Sequence, residues 1–455
     1  MFTDKTALLR DNPAQSNYGI AVCDVDDDGA FEVLVAGFGY PNLALKWDGS
    51  RFVNVANRRL ADSTRQAVGV AAGDLDGDGR EEIYFLNTDT FGGEKQVGDR
   101  LFDFRGGRWV DLFSLPENEP AGNLISGRSV ACVDRDGNGR YGFFVASYGG
   151  PMGFYELDDG GLLDDLAERI GVDFVTGGRG VVALPLVSEY AMDIFVTNEN
   201  GANYLFRNRG DGTFEEIGQQ VGLGDMHEHG RGVAALDAND DGSLDLVCGN
   251  WEGPHRLFVR EGAGGSFRDV APPEMSAPTR IRTVIAADFD NDGYEEIFFN
   301  NMEQPNRLFG RRDGRWVRLD VGDALEPLGP GTGAAIGDFD ADGRLELFIS
   351  HGETEAYPLS LYHSPQNDHA WLRIRPLTAH GAPARGALVR LFAGGRTQIR
   401  AIDAGSGYLC QMEPVAHFGL GAVREVEGVE VRWPDGAMVA IERPDINQSL
   451  TVPHP

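Results

Sequence analysis

Apolar and polar stretches follow one another along the chain in a recurring order. A run of small apolar residues, such as 69–73 or 232–236, leads into an acidic stretch, and an aromatic and β-branched run follows, as at 83–86 and 297–299. Two further short stretches come next across a Gly-containing turn; "NYLFRNRGDGTFEEI" (203–217) and "NRLFGRRDGRWVRL" (306–319) are examples. Short apolar runs bounded by turn residues predict strands, and paired runs across a Gly turn predict hairpins. Four strands in ~50 residues is the size of one propeller blade.

The acidic stretches begin at Asp24, Asp74, Asp134, Asp237, Asp288 and Asp338, at intervals of 50, 60, 103, 51 and 50 residues. The interval of 103 spans two periods, and a degenerate copy lies between. There "GVVALPLVSEYAMDIFVTN" keeps the flanks of "GVAALDANDDGSLDLVCGN", but Pro185, Val187 and Glu189 replace the leading acidic positions. Seven repeats are therefore expected, six with an intact acidic loop. The seventh supplies only three strands, the last near residues 359–363, while the N-terminal "MFTDKTALL" has the pattern of a fourth. Residues 2–6 are expected to pair there and close the ring, which removes a free sheet edge. The fold expected is all-β: a seven-bladed β-propeller over residues 1–365, then a small C-terminal β-sandwich over 366–455. In the latter, alternation at Leu372/Ile374 and Val429/Val431 marks strands.

Each acidic loop offers oxygen at alternate positions. The sets are Asp24, Asp26, Asp28 and Glu32; Asp74, Asp76, Asp78 and Glu82; Asp134, Asp136 and Asn138; Asp237, Asn239, Asp241 and Asp245; Asp288, Asp290, Asp292 and Glu296; and Asp338, Asp340, Asp342 and Glu346. Calcium takes six to eight oxygens in a flexible cage, and a tight loop supplies them from alternate residues, with Gly29 and its equivalents allowing the turn. An EF-hand would need a bidentate acid at position twelve, where the first loop has Val35, and helices rather than strands on either side. About six calcium ions are expected, one per intact loop. The third loop should bind weakest, because Asn138 replaces an acid and Gly142 stands at position nine.

Net charge is −31 and Gly is high at 62, which suits a turn-rich β protein and disfavours nucleic acid and anionic membrane surfaces as partners. Cys23, Cys132, Cys248 and Cys410 have no zinc-like spacing and read as small buried thiols. No run reaches membrane-spanning length, and residues 1–25 lack a basic start followed by an apolar core. A soluble monomer is expected, cytoplasmic as the chain stands, or extracellular or periplasmic if a leader was removed.

The repeats resemble FG-GAP/VCBS-type repeats, as in the integrin α-subunit propeller. Gly405-Ser-Gly-Tyr408, His417-Phe-Gly-Leu-Gly421 and Trp433-Pro-Asp-Gly436 resemble the ASPIC/UnbV domain, which follows such a propeller in the cartilage acidic protein family. Residues Ala382-Pro-Ala-Arg385 depart from the polar stretch usual in that domain. The resemblance implies a calcium-binding adhesion or matrix protein in animals. UnbV-type members resemble proteins encoded beside natural-product pathways.

One further pattern points to a ligand. Six residues before the first loop acid, or before Pro185 in the degenerate copy, stand Tyr18, Val68, Arg128, Arg179, Arg231, Arg282 and Thr332. Four successive blades thus carry Arg where the innermost strand begins, on the face opposite the calcium loops. Guanidinium groups there suit a carboxylate or phosphate, so an anionic small molecule or acidic protein surface is the expected partner. Tyr148, Trp251 and His351 are candidate ligand contacts from neighbouring loops. The alternative is a cyclase-like biosynthetic enzyme, with His227, His229, Arg231 and Glu252 as candidate catalytic groups.

Overall fold

A computed structural model describes residues 1–158, 160–262 and 265–455. Its first part is seven four-stranded antiparallel sheets in chain order. They open with the strands Asn17–Cys23, Ala67–Gly73, Gly127–Val133, Val175–Leu184, Gly230–Leu236, Ile281–Ala287 and Gly331–Gly337. These seven strands pack side by side in cyclic order, the last against the first, which gives a propeller-like arrangement. The seventh sheet draws its outer strand from the N-terminus: Thr3 pairs with His363 and Asp4 with Tyr362.

The small residues of the opening strands permit that packing. A Cβ on Gly180 would lie 2.2 Å from the Arg231 carbonyl oxygen, and one on Gly232 would lie 2.6 Å from that of Arg282. Larger side chains point between sheets instead, where Phe85, Phe144, Phe195, Phe298 and Phe348 are buried. The third and fourth sheets are also joined. Strand Gly142–Pro151 runs past its own sheet to pair with Val175–Leu184, placing Tyr148 opposite Gly177.

Residues 370–452 form two further sheets. Ala370–Pro376 lies between Ala416–Gly421 and Ser449–Val452, and Leu388–Ala393 lies between Arg396–Ala401 and Val426–Arg432. Leu372, Ile374, Val389, Phe418, Val431 and Trp433 share one core.

This unit does not stand apart from the ring. It covers the face that bears the acidic loops. Arg375 donates to the Gly29 carbonyl (2.6 Å), Arg373 to Asp338 (2.9 Å), Arg396 to Asp240 (3.1 Å), and the Gly419 amide to Asp288 (3.0 Å). Residues 404–411 go further and enter the axis between the innermost strands. Ala404 exchanges backbone hydrogen bonds with Ala183, Gly407 with Val233, and Gln411 with Ile20 and Val22. The innermost strands each have one edge without a partner in their own sheet, and this segment pairs four of them.

Arg385 is fully buried at this junction, donating to the carbonyls of Val22 (3.0 Å) and Met412 (3.1 Å) and lying 3.4 Å from Glu81. It is the departure seen at residues 382–385. Removing one partner of a buried ion pair strands the other charge, at a cost of about 3–5 kcal/mol. Arg385→Met should therefore lower the melting temperature sharply, and Glu81→Met in the same chain should restore most of the loss. A double variant as unstable as the single one would show that the carbonyl contacts, not the ion pair, carry Arg385.

Candidate functional site

The six acidic loops share one construction. The first acid turns back to accept an amide hydrogen bond from position six in every loop and from position five in four of them, as Asp24 does from Asp28 (3.1 Å) and Gly29 (2.8 Å). Position six is Gly with positive φ in every loop, from Gly29 at 88° to Gly343 at 81°. In the five loops with an acid at position nine, that residue accepts from the amide of position two: Val25 to Glu32 (2.7 Å), Phe289 to Glu296 (3.0 Å), Phe339 to Glu346 (2.8 Å). In Glu296 and Glu346 the other carboxylate oxygen is buried without a hydrogen-bond partner, as is Asp288 Oδ1. Buried acceptors of this kind, facing other carboxylates, fit a cation.

Acids of four loops converge within 4.8 Å of one another: Asp24, Asp26 and Glu32; Asp74, Asp76 and Asp78; Asp288, Asp290 and Glu296; and Asp340, Asp342 and Glu346 with His363. No such trio forms at Asp134 or Asp237 among the described residues. At Asp134 the position-nine gap is filled from the next strand. Glu156 faces Gly142, where a Cβ would lie 2.6 Å from the Glu156 Cγ, and Arg135 holds the carboxylate at 2.8 and 2.9 Å. In the first loop Lys46 Nζ sits 2.6 Å from Asp26 and Asp28 and 3.2 Å from Glu32, an internal cation that competes with an added one. The degenerate loop is self-contained. Asp193 accepts from the amides of Leu186, Val187 and Ser188 and from the Ser188 hydroxyl, so its oxygens are all engaged.

On the opposite face Arg128, Arg179, Arg231 and Arg282 line one cavity of about 500 Å³, together with Tyr18, Phe91, Glu199, Trp251, Glu353 and Tyr408. Each guanidinium is held. Glu199 bridges Arg179 and Arg231, and Glu353 pairs with Arg282. Trp251 lies under Arg282 (4.6 Å) and Arg231 (5.4 Å), and Tyr148 under Arg179 (4.4 Å). Arg128 differs. It is 8% exposed and donates to Ser126, to the Gly127 carbonyl and to the Phe91 carbonyl, with no carboxylate within ion-pair distance among the described residues. Burial pulls its pKa down from the usual value, and neighbouring Arg179 adds to that.

Tyr408 forms the floor. It arrives with the inserted segment, and its hydroxyl lies 3.2 Å from Arg179 Nη1. Burial pushes its phenol up, but the four guanidinium groups outweigh burial and hold it below the ordinary value. Glu199 is likewise drawn down to about 2, Arg179 and Arg231 overcoming its burial.

Several expected contacts lie elsewhere. His227 and His229 are exposed and do not line the cavity; His229 Nδ1 lies 2.7 Å from the Glu199 carbonyl oxygen. Glu252 pairs with Arg280 (3.0 Å) outside it. His351 is buried between the Pro358 carbonyl (2.8 Å) and Glu326 (3.0 Å), a structural role, and Tyr148 backs the arginines without lining the cavity. Glu199, Phe91 and Tyr408 were not foreseen, Tyr408 because it comes from a different repeat system altogether.

Residues 378–455 match the ASPIC and UnbV family, and 24–85, 191–248 and 237–299 match the FG-GAP-like repeat. Cartilage acidic protein 1 of Xenopus tropicalis is 49% identical over 499 residues, covering all of this chain and 77% of that protein. The Homo sapiens protein of the same name is 50% identical over 98% of this chain and 73% of its own length. Among solved structures, BBS1N in complex with ARL6DN aligns over 80% of this chain and 97% of that one, with a TM-score of 0.50 at 12% identity, a likeness of fold alone.

Burial raises the Glu346 carboxyl to about 8 and Glu32 to about 7, from 4.5. Such a group takes up a proton on folding between its unfolded and folded values, so stability falls as pH rises through that window. A divalent cation would hold the same carboxylates ionised and cancel the loss. The gap between melting temperatures in Ca2+ and in chelator should therefore widen by several degrees from about pH 5 to about pH 8. A gap independent of pH would argue against coordination by these carboxylates.

Proposed function

The chain belongs to the cartilage acidic protein family, and from that premise we propose a calcium-stabilised binding scaffold whose arginine cavity takes an anionic partner. In this reading residues 1–365 are a closed seven-bladed propeller and residues 366–455 a β-sandwich seated on its loop face. The six loops take divalent cations, calcium wherever the donors are all oxygen, and in the first loop Lys46 already supplies a positive charge with which the ion competes.

Arg128 carries the argument for the ligand. A buried cation without a counter-ion is costly, and this one opens on a cavity large enough for a small molecule or an inserted acidic side chain. Arg179, Arg231 and Arg282 already have carboxylates, so they frame the site and set its geometry, while Arg128 and the Tyr408 hydroxyl are available to a ligand anion. Trp251 and Phe91 supply aromatic faces for its apolar part. The loop cations and the cavity lie on opposite faces, so one stabilises the scaffold and the other does the binding.

Calorimetry with a panel of aromatic and aliphatic mono- and dicarboxylates tests this directly. At least one should bind, and Arg128→Ala should weaken it roughly tenfold or more, since a charge-assisted bond is worth about 1.5–3 kcal/mol. Calcium stoichiometry should not change. If no carboxylate binds, or if Arg128→Ala lowers the melting temperature while leaving binding intact, the cavity is a structural ion-pair network and the reading fails.

Lys46→Met removes the internal cation of the first loop. It should raise calcium affinity there by about tenfold and add one tight equivalent in a titration of the chelator-treated protein. An unchanged isotherm would mean that Lys46 Nζ swings out when the ion arrives.

A further inference from the structure

The acidic loops are alike in their own residues and differ in what faces them from the third strand of the sheet. The first loop meets Lys46, the second Asp103, which joins Asp76 and Glu82. The last loop meets His363, directly opposite Glu346 in the strand register. Its donor set thus contains an imidazole, whereas the clusters at Asp24, Asp74 and Asp288 offer only oxygen.

The geometry is that of a shared centre. One ligand atom each from Asp340, Asp342, Glu346 and His363 falls within 4.8 Å of the other three. His363 Nε2 lies 2.7 Å from Glu346 Oε1 and 3.6 Å from Asp342 Oδ2, and neither it nor Glu346 Oε1 has a partner in hydrogen-bond geometry. Glu346 is only 5% exposed, and its Oε1, which accepts no hydrogen bond, lies within the cluster with the His363 imidazole as its nearest charged neighbour. Asp340, Glu346 and His363 also line a cavity of about 470 Å³, with Lys5, Arg344 and Trp47 around it. An ion here has a side open to exchangeable ligands.

Calcium takes oxygen donors, while imidazole with carboxylates suits divalent first-row transition ions. We propose that residues 340–346 with His363 form a site for such an ion, of the Mn2+, Co2+ or Zn2+ class, with at least one coordination position facing the cavity. Asp340, Asp342 and Glu346 supply the charge, and His363 supplies the selectivity over calcium. Lys5 at the cavity wall would favour an anion or hydroxide as the exchangeable ligand, while Arg344, paired with Asp342 Oδ2, must share that carboxylate with the ion.

The test uses the full chain, stripped with chelator and re-equilibrated in excess Ca2+, then titrated with Co2+. The expected result is one tightly held Co2+ with visible absorption bands, retained against calcium. His363→Asn should lower Co2+ affinity at least tenfold while the number of bound calcium ions stays the same or rises by one. Displacement of Co2+ by calcium in the native chain, or equal Co2+ binding by the variant, would overturn the proposal. Should the variant melt early, Cu2+ bound at one equivalent to the unaltered chain decides instead. Nitrogen hyperfine splitting in its paramagnetic resonance spectrum supports an imidazole ligand, and a spectrum of oxygen ligands alone refutes it.

Discussion

The axis of the ring is the place where the chain has least freedom. Seven strands meet there at distances set by backbone contact, with glycine where a Cβ would strike a neighbour's carbonyl, and each leaves one row of amides and carbonyls without a partner in its sheet. Such groups, buried and unpaired, are expensive. Residues 404–411 answer that demand by pairing with the strands of the first, second, fourth and fifth sheets. The floor of the arginine cavity, the burial of Arg385 and the seating of the second unit all follow from that insertion.

Charge is distributed with the same economy. The loop face gathers carboxylates, and the unit that covers it brings Arg373, Arg375, Arg385, Arg396 and Arg400 to meet them. The signature motifs of that unit are largely contact residues. Gly419 leaves room for Asp288, whose Oδ2 would be 2.2 Å from a Cβ there, and His417 meets Asn291 at 2.6 Å. Burial holds that histidine neutral, its pKa well below the usual value. The opposite face concentrates guanidinium groups instead, partly matched by Glu199 and Glu353.

The repeat could be read from sequence because its acidic loop has a fixed internal spacing and its flanks keep one pattern of small, then aromatic, residues. Alignment on the first loop acid was also enough to bring the four arginines together, since equivalent positions in successive sheets face the same axis. What could not be read was anything that crosses between repeats. Glu199 lies in a loop of the fourth sheet yet also serves the arginine of the fifth, and Tyr408 reaches the cavity from a segment outside the repeats. Glu156 and Lys46 come from the strand facing a loop, where the repeat has no consensus. His227 and His229 looked close because they precede Arg231, but both are exposed outside the cavity, with His229 held by the Glu199 backbone carbonyl.

The inserted segment also bears on how the chain comes to be folded. Its contacts join residues very far apart: Ile20 to Cys410 and Ser129 to Leu409 are separated by 390 and 280 positions, and the outermost strand of the seventh sheet waits for Thr3 and Asp4 from the other end. On a ribosome, the first sheets emerge long before the segment that fills their axis has been made. Contacts of such separation slow the search for the native state and leave strand edges open meanwhile. The ring is thus a structure whose axis cannot be filled until residues 404–411 have been synthesised.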